Sequence, residues 1–320
     1  MNAPRAVGVR TPYPEVPERV RGWVSEAVGS PVVSWSEQTG GMSPGCATRV
    51  VAADGSRAFV KAVGSDLNPD SPALFRREIE ALGLIGTDPL WAGLLGSYDD
   101  GHWVALLLED VEGRHADLSD DGEMQTLLAA TDRLGERLAA VPPPTGISDT
   151  FAGPGFIDIP AILRRWMDSV DLIPDLPADL VPAGVRLDAE RCRELARTLL
   201  GPWPRHVAHW DIRNDNLLVR ADGSVVFVDW GACGIGPDWV DPLLARLERV
   251  ESPWFDASAR ASAALATAGD DVVTAWLLGF GCHLAWRSTT AVDVGLPTLN
   301  DFRRTEARRL LAGAARRLGS

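Results

Sequence analysis

Between residues 206 and 242 the chain gathers His209, Asp211, Asn214, Asp215, Asn216 and Asp229, its densest group of chemically capable side chains. The intervening residues read as loop, strand, turn and strand. Leu217-Leu218-Val219 is apolar, Ala221-Asp222-Gly223 supplies turn chemistry, and the β-branched run Val225-Val226-Phe227-Val228 stops at Asp229-Trp230-Gly231. Such a hairpin delivers Asp211, Asn216 and Asp229 to one end. Converging carboxylate and amide oxygens suit a hard divalent cation and a phosphoryl acceptor: Mg²⁺ takes such ligands, keeps part of its water and shares its remaining positions with phosphates.

Taken singly, each residue has an ordinary reading, since Asp and Asn after a strand are common turn residues. The spacing His209-x-Asp211-x-x-x-x-Asn216, followed by Asp229-Trp230-Gly231, is more specific and resembles the kinase catalytic loop and its metal-binding Asp-x-Gly. Among kinase-fold proteins it is most similar to the aminoglycoside phosphotransferase family. Members usually carry Gly between the His and the Asp, where Trp210 stands here. The resemblance implies that Asp211 accepts or orients the proton of a substrate hydroxyl, and that Asn216 and Asp229 hold Mg²⁺ against the phosphates of ATP. It implies that His209 braces the loop by hydrogen bonding, and that Asp241 braces it from the segment beginning at Gly236. Arg213 lies where the loop faces the transferring phosphoryl group; it either neutralises charge there or forms a plain salt bridge.

Upstream elements must deliver the nucleotide to this hairpin. Val32–Trp35 and Ala47–Val51 read as strands flanking Thr39-Gly40-Gly41-Met42-Ser43-Pro44-Gly45, and Asp54-Gly55 turns the chain into Ala58–Val63, which carries Lys61. Gly40 and Gly41 let backbone amides approach phosphates, and Lys61 supplies a point charge. An ammonium in an apolar strand needs a partner. The next helix offers one: Ser71 is the expected N-cap, Pro72 opens the helix, and Phe75, Ile79, Leu82 and Ile85 form its apolar stripe. Glu78 lies beside that stripe and is preferred over Glu80 as the partner of Lys61. By the resemblance, the strand Trp103–Leu108 leads to a hinge whose backbone near Glu109 and Val111 meets the nucleotide base.

The fold implied is α+β, two-lobed and protein-kinase-like: a small lobe of antiparallel sheet plus helix, residues 1–110, and a larger, mostly helical lobe with the catalytic hairpin, residues 111–320. In that lobe Glu123–Val141 reads as an amphipathic helix and Ile159–Val170 as another, Asp188 as a cap, and Pro242–Val250, Ala257–Ala268, Asp270–Trp286 and Asp301–Leu318 as further helices. The basic end, Arg303 to Arg317, reads as a solvated face. Asp238, Glu248, Glu251, Asp256 and the stretch 145–187 are candidate acceptor contacts.

A length of 320 residues with 46% hydrophobic content accommodates both lobes, and no apolar run approaches a membrane span or a secretory signal, so a cytoplasmic protein without membrane contact is expected. A net charge of −13 argues against a nucleic-acid partner and tilts mildly towards amine-bearing substrates. Four cysteines without a Cys-x-x-Cys pair argue against zinc or disulfides. Twelve tryptophans suggest core packing with some left over for a ligand wall. The expected activity is ATP-dependent phosphorylation of a hydroxyl on a small molecule, such as an aminoglycoside or another amine- or sugar-containing antibiotic. Alternatives are a metabolite kinase and a non-catalytic nucleotide-binding protein, which would have lost the lysine, base or metal ligand that this chain retains. Nucleotidyl transfer stays open. A protein kinase is disfavoured because no long Ser- or Thr-bearing activation segment separates Asp229 from Asp241.

Overall fold

A computed structural model describes residues 10–38, 41, 43–182, 187–291 and 296–319. The expected glycine Gly40 lies outside the described residues. Helix α1 (Glu18–Val28) ends where Gly29 takes φ +86°, its N–H donating to the carbonyls of Ser25 and Glu26. Strands β1 (Val32–Glu37), β2 (Cys46–Ala52) and β3 (Arg57–Gly64) follow, then α2 (Ser71–Ile85), β4 (Leu94–Asp99) and β5 (Trp103–Leu108). They form an antiparallel sheet in the order β1-β2-β3-β5-β4.

Alternation along β3 divides this lobe. Ala58, Val60 and Ala62 pack with Val20 and Val24 of α1, while Phe59 and Val63 face the core that holds Phe75 and Leu82 of α2. Lys61 shares the second face by the same period of two. It lies in register between Ala47 of β2 and Leu106 of β5, in mid-sheet. The helix that must meet it starts differently from expectation. Ser71 is the first helical residue rather than its cap, and Asn68 Oδ1 accepts from Ser71 N–H, Asp70 N–H and Ser71 Oγ at 2.9–3.1 Å. An Asn side chain three residues upstream satisfies donors that a helical Ser71 cannot reach.

The larger lobe opens with β6 (Arg114–His115) and α3 (Asp121–Ala139), then β7 (Ile147–Ser148), β8 (Phe156–Asp158), α4 (Ile159–Ser169) and α5 (Ala189–Ala196). Asp188 caps α5, accepting from the N–H groups of Glu190 and Arg191. The chain continues through β9 (His206–Ala208), the hairpin β10 (Leu217–Val219) and β11 (Val225–Phe227), β12 (Gly234–Gly236) and α6 (Val240–Leu244). It ends in α7 (Pro253–Ala261), α8 (Ala263–Ala268), α9 (Asp270–Thr290) and α10 (Leu299–Gly319). The hairpin pairs with β6, and β7, β8, β12 and β9 form a small third sheet. Helix α9 is apolar nearly all round and sits at the centre of the lobe core with α4 and α10.

Three expectations for the C-terminal region are corrected. Pro242–Val250 is a short helix and a 3₁₀ turn, not one helix, because Arg246 turns inward and donates to Pro242 O and to Ser258. Ala257–Ala268 is broken at Ser262, whose ψ of 124° is extended. The basic end of α10 is not a solvated face: Arg303 is buried, Arg309 pairs with Glu306 and Glu251, and Arg316 and Arg317 grip Asp256 at 2.9 and 2.7 Å. Arginines with partners on other elements trade solvent for fixed ion pairs that tie α10 to the lobe.

All four cysteines are buried free thiols. Among the described residues no helix is long and apolar enough to cross a membrane. The two lobes share a core in which Phe75 and Leu82 of α2 meet Leu127, Leu134, Phe227 and Trp230.

Candidate active site

The hairpin brings the loop residues to one place. Asn216 Nδ2 donates to Asp211 Oδ2 at 2.8 Å and to the Asp211 carbonyl at 2.9 Å, and the N–H of Val228 donates to the Asn216 carbonyl at 3.0 Å. Asp229 follows directly, in the left-handed region at φ +66°. That conformation, uncommon for a residue with a side chain, turns the carboxylate off the strand end.

The loop is held from behind. His209 is fully buried; its Nε2 lies 3.2 Å from the Val228 carbonyl and its Nδ1 is 3.3 Å from the Asp211 N–H. A neutral ring with the proton on Nε2 satisfies both contacts, and burial lowers its pKa to favour that form. Asp241 accepts the N–H groups of His209 and Trp210 at 2.8 and 2.9 Å. Trp210 itself sits at φ +64°, at the position where the resembled family usually has Gly. Its indole stacks on Trp166 of α4, with ring centroids 5.4 Å apart and planes at 16°, and Trp166 stacks in turn on Phe280 of α9. Packing against α4 thus holds a backbone conformation that glycine adopts freely.

The small lobe delivers its cation to the same point. Lys61 Nζ bonds Glu78 Oε2 of α2 and Asp229 Oδ1 at 2.9 Å, and lies 5.2 Å from the Phe75 ring centroid. Glu78 is buried and its Oε1 accepts the Trp230 N–H at 3.3 Å, whereas Glu80 is exposed. Burial opposes charge at Lys61, but the two carboxylates outweigh it and raise its pKa. Asp229 is likewise opposed by burial, and Lys61, then Arg213, hold it down to about 2. Asp211 goes the other way. Burial pushes it up to about 6 against the pull of Arg213, with Asp215 and Asp229 adding repulsion.

Arg213 is committed first to Asp215, forking to its two oxygens at 2.9 Å each, and reaches Asp211 only at 3.6 Å. Its guanidinium also lies 5.7 Å from the Phe302 ring of α10. At the expected hinge, the Glu109 N–H donates to the Gly93 carbonyl at 2.9 Å and the Val111 carbonyl accepts from Arg49 at 3.0 Å. Gly41 is at φ +93°, and Gly45 lies so close to β3 that a Cβ would come within 2.3 Å of the Ala62 carbonyl.

Of the suggested acceptor contacts, Asp256 and Glu251 are engaged by arginines of α10, and Asp238 is exposed. One positioning residue escaped sequence reasoning. Arg77 of α2 is fully buried and donates to the carbonyls of Gly231 (2.9 Å), Phe151 (2.9 Å), Gly153 (2.8 Å) and Gly155 (2.6 Å), tying α2 to the Asp-Trp-Gly turn and to the β7–β8 loop. The only sequence signal for it is an Arg at i+3 from Leu74 and four before the buried Ala81, on the flank of α2 next to Glu78.

Among the described residues no group of three or more His, Cys, Asp or Glu is arranged to hold a metal. Asn216 and Asp229 are two hard oxygen donors, and half of the Asp229 side chain is exposed. That donor set fits a cation that takes most of its ligands from water and phosphate, as Mg²⁺ does.

Residues 48–276 match the sequence pattern of the phosphotransferase enzyme family. Among solved structures, a thermostable mutant of aminoglycoside phosphotransferase APH(4)-Ia in ternary complex with ADP and hygromycin B is similar at TM-score 0.60 and 16% identity, over 94% of this chain and 99% of that one. The choline kinase LicA from Streptococcus pneumoniae is similar at TM-score 0.56 and 13% identity, over 93% and 98%. Amicoumacin kinase hAmiN, in complex with AMP-PNP, Ca²⁺ and Ami, is similar at TM-score 0.53 and 12% identity, over 91% and 93%. At these identities the likeness is one of fold. A curated relative, serine/threonine-protein kinase pak-1 of Caenorhabditis elegans, is 48% identical over 42 residues, which are 13% of this chain and only 7% of that protein.

Proposed function

The chain belongs to the phosphotransferase enzyme family, and from that premise we propose an ATP-dependent kinase that moves the γ-phosphoryl group to a hydroxyl of a small molecule. The observation that carries this reading is Lys61, a buried cation bonded to Glu78 of α2 and Asp229 of the hairpin, so that strand, helix and catalytic turn meet at one ammonium. Residues 1–110 then form the nucleotide-binding lobe and residues 111–320 the catalytic and acceptor-binding lobe.

Each residue has a chemical task in this reading. The glycine loop with Gly40 and Gly41 covers the phosphates, and Lys61, steadied by Glu78, contacts them. The Glu109 carbonyl and Val111 N–H are the hinge groups offered to a base edge, since the Glu109 N–H and Val111 carbonyl already have protein partners. Asn216 and Asp229 would hold Mg²⁺, which neutralises phosphate charge when bound. Asp211 takes the hydroxyl proton. Its raised pKa makes it a better base than an ordinary aspartate while leaving it ionised above about pH 6. Asn216 orients the Asp211 carboxylate, Asp241 and His209 fix its backbone, and Arg213 offsets negative charge around it.

The acceptor class favoured by the family resemblance is an amine- or sugar-bearing compound such as an aminoglycoside. The arginine partners of Glu251 and Asp256 favour a second reading, a neutral sugar, amino alcohol or nucleoside, because those carboxylates are not available to a polycation. The test is ATP consumption against a panel of aminoglycosides, other antibiotics, amino sugars and nucleosides, with mass spectrometry of each acceptor. One compound should gain a single phosphoryl group, and Asp211→Ala should abolish the gain. Addition of a nucleotidyl mass, or activity undiminished in Asp211→Ala, would overturn the proposal.

A further inference from the structure

Residues 10–17, which precede α1, run against the glycine loop. Thr11 N–H and Oγ1 both donate to the Pro44 carbonyl, at 3.2 and 3.3 Å, and the Tyr13 N–H donates to Glu37 Oε1 at 2.7 Å. Tyr13 is buried against Trp35, and Val16 is buried beneath the sheet with Val20 and Val24. These contacts fix where Arg10 emerges. Its Nη1 lies 3.5 Å from the Gly45 carbonyl, and a Cβ added to Gly41 would come within 2.4 Å of its Nη2. The guanidinium therefore lies against Gly41 and Gly45, two glycines of the loop.

Its charge is also felt at Asp229 of the cleft. Burial pulls Arg10 below the ordinary arginine range, and Asp229 is the foremost charge opposing that pull. Lys61 is shared between two carboxylates, so without further cations the phosphate site of the proposed kinase carries net negative charge. A nucleoside triphosphate is still an anion with one Mg²⁺ bound, and a planar guanidinium suits its phosphate oxygens because it donates two parallel hydrogen bonds.

We propose that Arg10 is a second phosphate-binding cation of the nucleotide site, carried to the glycine loop by the N-terminal segment. This rests on the kinase reading above. It makes residues 10–17 part of the nucleotide site, and it gives Gly41, whose φ of +93° already favours glycine, a cation as its neighbour.

The test is calorimetric binding of AMP-PNP, ADP and adenosine, with Mg²⁺ and without acceptor, to wild type, Arg10→Ala, Arg10→Gln, Arg10→Lys and Lys61→Ala. Loss of a charge-assisted contact should weaken AMP-PNP by about 10-fold or more in Arg10→Ala. Adenosine binding should stay unchanged, and the salt dependence of AMP-PNP binding should flatten. Arg10→Lys should recover part of the affinity and Arg10→Gln none, while the thermal midpoints of Arg10→Gln and wild type agree. Unchanged or tighter AMP-PNP binding in Arg10→Ala overturns the inference, as does equal weakening of AMP-PNP and adenosine, which would make Arg10 a support of the loop. If Lys61→Ala loses AMP-PNP and Arg10→Ala does not, this inference alone fails. If wild type binds none of the three, or Lys61→Ala binds like wild type, the nucleotide reading fails with it.

Discussion

Trp210 offers a test in which two effects of opposite sign can be separated. It holds φ +64° directly before Asp211, and its buried indole stacks on Trp166. Deleting a buried aromatic ring costs about 3–5 kcal/mol. A left-handed conformation costs a residue with a Cβ about 1 kcal/mol relative to glycine. Trp210→Ala loses the ring and keeps the strain, so it should cost about 3–5 kcal/mol; Trp210→Gly loses the ring and sheds the strain, so it should cost about 2–4 kcal/mol. Packing wins over strain in both variants. Glycine should nevertheless be the more stable of the two by about 1 kcal/mol, the reverse of their order in an ordinary helix. Denaturant midpoints at unchanged m value measure this directly. An alanine variant as stable as the glycine variant would refute the backbone argument, and a glycine variant more stable than wild type would refute the claim that stacking dominates.

The acid limb of kcat/KM should fall near pH 6, where Asp211 titrates, and Arg213→Met should move that limb to higher pH because the attractive charge is gone. An unmoved limb counts against Asp211 as the base. Because its folded-state pKa is raised above the unfolded value, Asp211 stabilises the fold at low pH and that contribution is lost as pH rises through about 6. Asp211→Asn should therefore gain stability at pH 8 while losing about 10²-fold or more in turnover, read from melting and steady-state rates. Arg77→Met strands four carbonyls and should cost about 3–5 kcal/mol in a denaturant titration; Arg77→Lys should not restore it, since one ammonium cannot span them. Asp256→Ala should destabilise by about 1–3 kcal/mol with an unchanged acceptor KM. A raised KM at unchanged stability would instead make Asp256 an acceptor contact.

Sequence by itself determined what is encoded within a few residues. The β10–β11 hairpin was legible from β-branched runs around Ala221-Asp222-Gly223, the order of strands and α2 from apolar periodicity, and the preference for Glu78 over Glu80 from its place beside the apolar stripe. The family followed because His209, Asp211, Asn216 and Asp229 keep a fixed spacing within one supersecondary unit. Helix starts and breaks were less legible where a side chain from outside the helix decides them, as Asn68 does for Ser71 and Arg246 does for the end of α6.

Only the tertiary structure decided which charges pair across long separations in sequence. Lys61 and Asp229 are 168 positions apart, and Arg77 meets Gly231 across 154, distances over which no local pattern carries information about contact. The same holds for the arginines of α10: as a run of residues they resemble a solvated basic face, and their partners Asp256 of α7, Asp270 of α9 and Glu251 become neighbours only once α10 packs onto the rest of the lobe. Trp210 is the sharpest case. Its type departs from the family pattern, and the aromatic column of Trp166 and Phe280 that allows the departure comes from helices distant in sequence. Local chemistry fixes which conformations and charges a segment prefers, but close packing of distant elements fixes which of them are satisfied, and at this site that is what sets Asp211, Asp229 and Lys61 in place.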